Sequence, residues 1–272
     1  MDAGAFLSSV DGMAQWIVQS VRSERALPAG GRRITLDFGL ERRAERVPAL
    51  LLLPPPAANT ERRAPGVLLL HGYSSHKEQM ADTLGRVLLR HGIASLAIDL
   101  PLHGERRGGM DMQAMRNPMA LASTWRTAQA DARLALGYLG ARPEVDASRL
   151  ALVGYSMGSF LGVLVAAAEP KVRAVVLAAG GDLPDGTPLE RLVRTLADPL
   201  RAVRRLDGRP LLMVHGKRDR TVTPAQAQRL FDAAEEPKTL RWWDAGHYLP
   251  DAAIDDAAEW LRTALGVEGN AA

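Results

Sequence analysis

Residues 150–168 read Leu150-Ala151-Leu152-Val153-Gly154-Tyr155-Ser156-Met157-Gly158-Ser159-Phe160-Leu161-Gly162-Val163-Leu164-Val165-Ala166-Ala167-Ala168. The first four residues form a short apolar run of strand length, and residues 159–168 read as a helix. Between them lies G-x-S-x-G. A strand, a turn with glycines two residues either side of a serine, and then a helix form the turn that lifts a nucleophilic hydroxyl clear of the backbone. The glycines are needed because the turn is too tight for side chains. A glycine-rich turn with an incidental serine has no such context, so Ser156 is the first candidate for covalent chemistry.

Working outward, the chain alternates strands and helices. Upstream, Gly66–Leu70 is a continuous apolar run, the mark of a strand buried on both faces. Residues 80–91 read as a helix, Ile93–Ile98 as a strand and residues 118–140 as a long helix. Downstream, Val172–Leu177, Pro210–Val214 and Thr239–Trp243 read as strands, with helices over Pro224–Ala234 and Ala252–Leu265. Nearer the start, Arg33–Phe38 and Arg46–Leu53 read as a hairpin ended by Pro54–Pro56, since proline cannot donate to a ladder. Residues 5–22 place Phe6, Leu7, Val10, Met13, Trp16, Ile17 and Val21 at helical spacing. They predict an N-terminal helical extension over residues 1–30. Alternation of this kind implies a mostly parallel sheet of about eight strands with helices on both faces. Residues 104–117 and 181–208 break the alternation and are candidates for a small cap. No repeat, low-complexity tract or linker divides residues 1–272, so a single domain is expected.

Active sites of such sheets sit at the carboxyl ends of the strands, and the chemistry-bearing residues cluster there. His71-Gly72-Tyr73 follows the first buried strand. In this arrangement the loop there supplies one backbone N–H for an oxyanion, and the residue after the nucleophile supplies the other. The candidates are Tyr73 and Met157. Asp219 lies just past the strand Pro210–Val214, where a carboxylate reaches across the sheet edge to orient an imidazole. Asp244 is the alternative acid. Of the six histidines, His71 and His215 precede glycines at strand ends, His76 and His103 lie in loops, and His91 ends a helix. His247 alone follows both the last strand and the acid, which gives the order serine, acid, histidine.

These stretches, HGYSSHKE, DLPLHGER, GYSMGS, HGKRDRTV and DAGHYLP, together resemble the α/β-hydrolase superfamily over residues 33–265. They are most similar to bacterial serine esterases of the dienelactone-hydrolase-like and prolyl-oligopeptidase-like branches. The cysteine nucleophile of true dienelactone hydrolases is absent. The resemblance implies a carboxylic ester hydrolase with a Ser156–Asp219–His247 triad, a small-molecule ester substrate, and no requirement for a metal or organic cofactor. Amide, thioester and carbon–carbon hydrolysis, and a non-catalytic binding role, share the same fold. Four of the nine methionines, Met110, Met112, Met115 and Met119, fall between residues 110 and 119. Methionine fills irregular apolar gaps, so Met110 and Met115, with Trp125, are candidate pocket residues, though they could equally pack a loop onto the core. Arg106 and Arg107 either favour an acidic substrate group or are solvated.

Composition sets the outer limits. At 47% hydrophobic and 24% charged the chain is ordinary globular protein. Net charge is +3 at pH 7, and only four of the 34 basic residues are lysines. Acidic residues are interspersed with the arginines, whereas a nucleic-acid binder concentrates positive charge, so no nucleic-acid partner is expected. Cysteine is absent, which excludes disulfides, thiolate metal sites and a cysteine nucleophile. No stretch reaches the roughly 18 apolar residues of a membrane span. Asp2 stands where a signal peptide carries a basic residue, so a cytoplasmic location is expected.

Overall fold

The computed structural model describes residues 5–10, 13–28, 30–56, 63–106, 117–184, 186, 194–195 and 197–267. Among these residues ten strands form one sheet in the order β1-β2-β3-β4-β6-β5-β7-β8-β9-β10. Six of them, β6 (Ala94–Ile98), β5 (Ala64–Leu70), β7 (Val145–Tyr155), β8 (Val172–Ala178), β9 (Leu211–Gly216) and β10 (Lys238–Trp243), run parallel to one another. β4 (Val47–Leu53) joins them antiparallel through β6, and β3 (Arg32–Leu40) continues outward.

The parallel strands are apolar because they are covered twice. Leu68 and Leu70 of β5 enter one core cluster, while Val67 and Leu69 enter the other. The first cluster is closed by α2 (Pro118–Gly140), α3 (Met157–Ala168), α4 (Pro199–Arg204) and α5 (Pro224–Ala233). The second is closed by α1 (residues 77–90) and α6 (Asp251–Ala264). Helix α1 runs through Lys77–Met80 and Arg86–Arg90, with a π-helical turn at Ala81–Gly85 between them. Its start at residue 77 brings it directly behind the His71–His76 loop.

The N-terminal helix expected over residues 5–22 is replaced by strands. Ala5–Val10 (β1) and Met13–Ala26 (β2) pair antiparallel, and β2 extends the sheet beyond β3. Val10 and Met13 are paired, and the sequence between them is Asp11-Gly12. Asp-Gly favours a tight hairpin. β-Branched Ile17, Val18 and Val21 suit a strand, and β3 would otherwise leave its backbone groups open at the sheet edge. Of the two expected cap segments, Gly104–Arg106 forms a single 3-10 turn and 107–116 lie outside the described residues. In the second, α4 buries Ala202 and Val203 in the first core cluster, so this part packs onto the body.

Two polar pins hold the loops at the carboxyl edge. His71, fully buried, donates from Nδ1 to Gly72 O (2.7 Å) and accepts at Nε2 from the Leu100 N–H (3.1 Å). This binds the loop after β5 to the loop after β6. Burial lowers its pKa to about 4, which keeps Nε2 an acceptor. Lys77 is the second pin. Its buried ammonium donates to Asp99 (2.8 Å), Glu105 (2.5 Å) and Glu78 (2.8 Å), while Asp99 also accepts the N–H groups of Lys77 and Glu105. Hydrogen bonds from Arg22 and Lys77 hold the Glu105 pKa down to about 2.

Truncating one member of a buried ion pair leaves an uncompensated charge and costs about 3–5 kcal/mol. Lys77→Met is therefore expected to lower the urea-unfolding free energy by about that amount. Lys77→Met/Asp99→Asn should cost less than the sum of the single changes; strict additivity would show that the pair does not interact. For His71 the folded pKa lies below the unfolded value. The unfolded chain thus takes up a proton as pH falls from 6.5 toward 4, and stability falls with it. His71→Gln should flatten the stability profile between pH 6.5 and 5 by up to about 1.4 kcal/mol per pH unit. Parallel profiles would show that His71 titrates normally.

Candidate active site

Strand β7 delivers Ser156 at the carboxyl edge with backbone angles φ 51° and ψ −114°. Positive φ in a non-glycine residue is uncommon and costs free energy unless its surroundings impose it. Here they do. The Ser156 N–H donates to Ala178 O on β8 (2.8 Å), and α3 starts at the next residue. A Cβ on Gly154 would stand 2.2 Å from Gly158 O, and one on Gly158 would stand 2.2 Å from Leu70 O. Both glycines of the motif are therefore required by close backbone approach, as the sequence predicts.

The loops after β9 and β10 bring the acid and the imidazole to this serine. Asp219, buried, accepts at Oδ1 from the N–H groups of Thr221 (2.8 Å) and Val222 (3.1 Å). Its Oδ2 accepts from His247 Nδ1 at 2.8 Å, and His247 Nε2 lies 2.9 Å from Ser156 Oγ. The tautomer consistent with this network has the proton on Nδ1 and takes the serine hydroxyl at Nε2. Asp244, the alternative acid, points to solvent and pairs with Arg218 (2.6 Å). The two oxyanion candidates also lie beside Ser156. The His71–Tyr73 loop passes against it, since a Cβ on Gly72 would stand 3.4 Å from Ser156 Cβ. Met157 is the first residue of α3, where backbone N–H groups lack intrahelical acceptors.

A cleft of about 530 Å³ opens on Ser156 and His247, with Gly72 and Tyr73 at its edge. Met110 and Met115 lie outside the described residues. Trp125 is not part of this cleft; it packs against the first core cluster from α2. Arg106 is not free for a substrate, because it pairs with buried Asp131 (2.8 Å) and with Glu45. Arg107 lies outside the described residues. Among the described residues, no group of three His, Cys, Asp or Glu stands together to hold a metal ion, and no helix is long and apolar enough to cross a membrane.

Two supporting residues escaped the sequence reading. Tyr155 donates its hydroxyl to His247 O (2.6 Å) and accepts from the Leu249 N–H (3.2 Å), so it fixes the backbone on both sides of Tyr248. It occupies a variable position of G-x-S-x-G, so the motif gives no signal for it. His215 donates from Nε2 to Val222 O (2.9 Å), within the turn that carries Asp219. Burial lowers its pKa, which keeps it neutral. Its place four residues before Asp219 is the signal a closer reading could have used.

Comparison with known proteins follows the fold. “Putative esterase YitV” of Bacillus subtilis (strain 168) is 24% identical over 241 residues, covering 76% of this chain and 92% of that protein. Among solved structures, acetyl xylan esterase 1 from Thermoanaerobacterium sp. JW/SL YS485 superposes with a TM-score of 0.72 at 22% identity, covering 92% of this chain and 88% of its own. A cold-adapted esterase from an Arctic intertidal metagenomic library gives 0.66 at 23% identity, covering 89% and 97%. At these identities the structural likeness concerns the fold alone. The family description “Alpha/beta hydrolase family” matches residues 67–210, more than half the chain, and this protein belongs to that family.

Proposed function

We propose that this protein hydrolyses carboxylic esters through an acyl-enzyme on Ser156. The observation that carries the reading is the continuous hydrogen-bond chain from Asp219 through His247 to a serine held on a strained turn. As Ser156 Oγ attacks the ester carbonyl, its proton passes to His247 Nε2. The resulting imidazolium is stabilised by Asp219, which stays ionised. The negative oxygen of the tetrahedral intermediate is met by the Tyr73 and Met157 N–H groups, a contribution of about 10²–10³ in rate per donor. The carbon–oxygen bond to the alcohol then breaks, and His247 returns the proton to the leaving oxygen. Water repeats the sequence, with His247 as base, and releases the acid and free Ser156. Relatives whose names describe esterases support an ester rather than another acyl bond.

Release of p-nitrophenol from short-chain esters tests the proposal. Ser156→Ala should lower kcat by at least ~10⁴-fold. Asp219→Asn should lower it by about 10⁴-fold by favouring the wrong imidazole tautomer, with little change in KM. Equal rates in the wild type and Ser156→Ala would overturn the assignment.

A further inference from the structure

Large hydrophobic side chains left in water are grouped rather than scattered. Among the described residues three are exposed, Tyr73, Met119 and Tyr248, and two of these, Tyr73 and Tyr248, line the cleft at Ser156. Single apolar residues spread over a surface are ordinary, whereas a grouping beside a reactive side chain points to a contact with a ligand. The two rings differ in how free they are. Tyr73 rests edge-on against His103, with ring centroids 5.4 Å apart. Tyr248 is 77% exposed.

The backbone that carries Tyr248 is nonetheless fixed. The buried end of Tyr155 donates its hydroxyl to His247 O (2.6 Å) and accepts the Leu249 N–H (3.2 Å), so the chain before and after Tyr248 is tied to the end of β7. Burial raises the Tyr155 pKa, which keeps this hydroxyl a donor. The His247 imidazole lies 6.1 Å from the Tyr155 ring and 6.0 Å from the Tyr248 ring, edge to face with each. Tyr248 thus presents a bare aromatic ring from an ordered backbone beside the base. A tyrosine there gives a large contact area for little loss of side-chain freedom.

The path of the proton says which part of a substrate meets this ring. His247 Nε2 takes the Ser156 proton and returns it to the leaving alcohol oxygen, so the alcohol portion lies on the imidazole side of the serine. Tyr248 is the exposed ring on that side. The residues lining the cleft include Asp251 and no lysine or arginine, so an anionic leaving group finds no counter-ion there. A neutral aromatic ring gains an offset-stacked or edge-to-face contact.

We propose that Tyr248 is a specificity-determining residue that holds the aromatic ring of a neutral leaving alcohol, so that arylmethyl esters are preferred over alkyl esters. The inference rests on the acyl-enzyme reading above. The contact is made equally in the bound substrate and in the transition state, so losing it raises KM and leaves kcat unchanged.

The test compares kcat/KM for benzyl acetate and n-butyl acetate, which share an acyl group and release alcohols of similar acidity. In the wild type benzyl acetate should lead by at least about threefold, the size of one aromatic contact. Tyr248→Ala should lower the benzyl-to-butyl ratio about three- to tenfold, through KM for benzyl acetate alone. Tyr248→Phe should keep the wild-type ratio. A second readout needs no turnover: benzyl acetate should give saturation-transfer NMR signals at its ring protons with Ser156→Ala, and Ser156→Ala/Tyr248→Ala should lose them. A wild type without the benzyl preference, a Tyr248→Ala variant that slows both esters alike, or a Tyr248→Phe variant that behaves like Tyr248→Ala would overturn the ring contact. Ring signals that depend on Tyr248 in a protein that hydrolyses no ester would sink the hydrolase reading and leave the contact standing. Ser156-dependent hydrolysis with an unmoved ratio would do the reverse.

Discussion

The backbone at Ser156, at φ 51° and ψ −114°, is the constraint around which the rest is arranged. An isolated chain would relax it, since such a conformation costs about 1–3 kcal/mol. It persists because β7 is flanked on both sides by parallel strands and covered on both faces. β8 takes the Ser156 N–H, and β5 presses its Leu70 carbonyl toward Gly158. A parallel sheet has a second consequence. All its carboxyl ends lie at one edge, so the loops after β5, β9 and β10 converge on the turn after β7 without long excursions.

Those loops need holding, and buried polar pairs do it. His71 joins the loops after β5 and β6, Lys77 clasps Asp99 and Glu105, and Tyr155 ties down the loop carrying His247. The arginine-rich composition belongs to the same strategy. Arg43 and Arg106 converge on buried Asp131, Arg194 and Arg229 on buried Asp182, and Arg209 donates to the carbonyls of Ala166, Glu169 and Val172. A guanidinium suits this work because its donors form a rigid fork that satisfies several acceptors at once. Many of these arginines act as internal braces rather than as a solvated surface.

What could be read from the sequence follows from where local chemistry decides. GVLLL, LALV and PLLMV are strands because continuous aliphatic runs between turn residues have few other stable uses, and β5, β7 and β9 bear this out. G-x-S-x-G announces its own geometry, since the glycines are needed by contacts within the turn. The apolar residues of 5–22 fit helical spacing, yet the segment is strand because a sheet edge contributed by residues 32–40 decides its conformation. Nothing local to Lys77 or Asp99 marks them as partners, since 22 residues separate them and the pairing exists only once β5 and β6 are side by side. Trp125 could be assigned to an amphipathic helix but not to a face, because the pocket's position depends on how helices are shared between the two sides.

That sharing decides which residues pack against each face of the sheet. Among the described residues, α2, α3, α4 and α5 pack one face, and α1 and α6 cover the other. On the first face the helix residues directed at the sheet include Leu134, Leu136 and Leu139 of α2 and Leu161 and Val163 of α3, which fill the space against the strands. On the second, α6 presents Ala253, Ala257 and Ala258 above Leu261. Ala253 and Ala258 are almost wholly buried in the second cluster with Val153, Val176 and Val214, so small side chains let this helix lie close against the sheet. The close packing of that helix leaves the cleft at the carboxyl edge, where β7 and β8 place the serine turn and Ser156 and His247 line it.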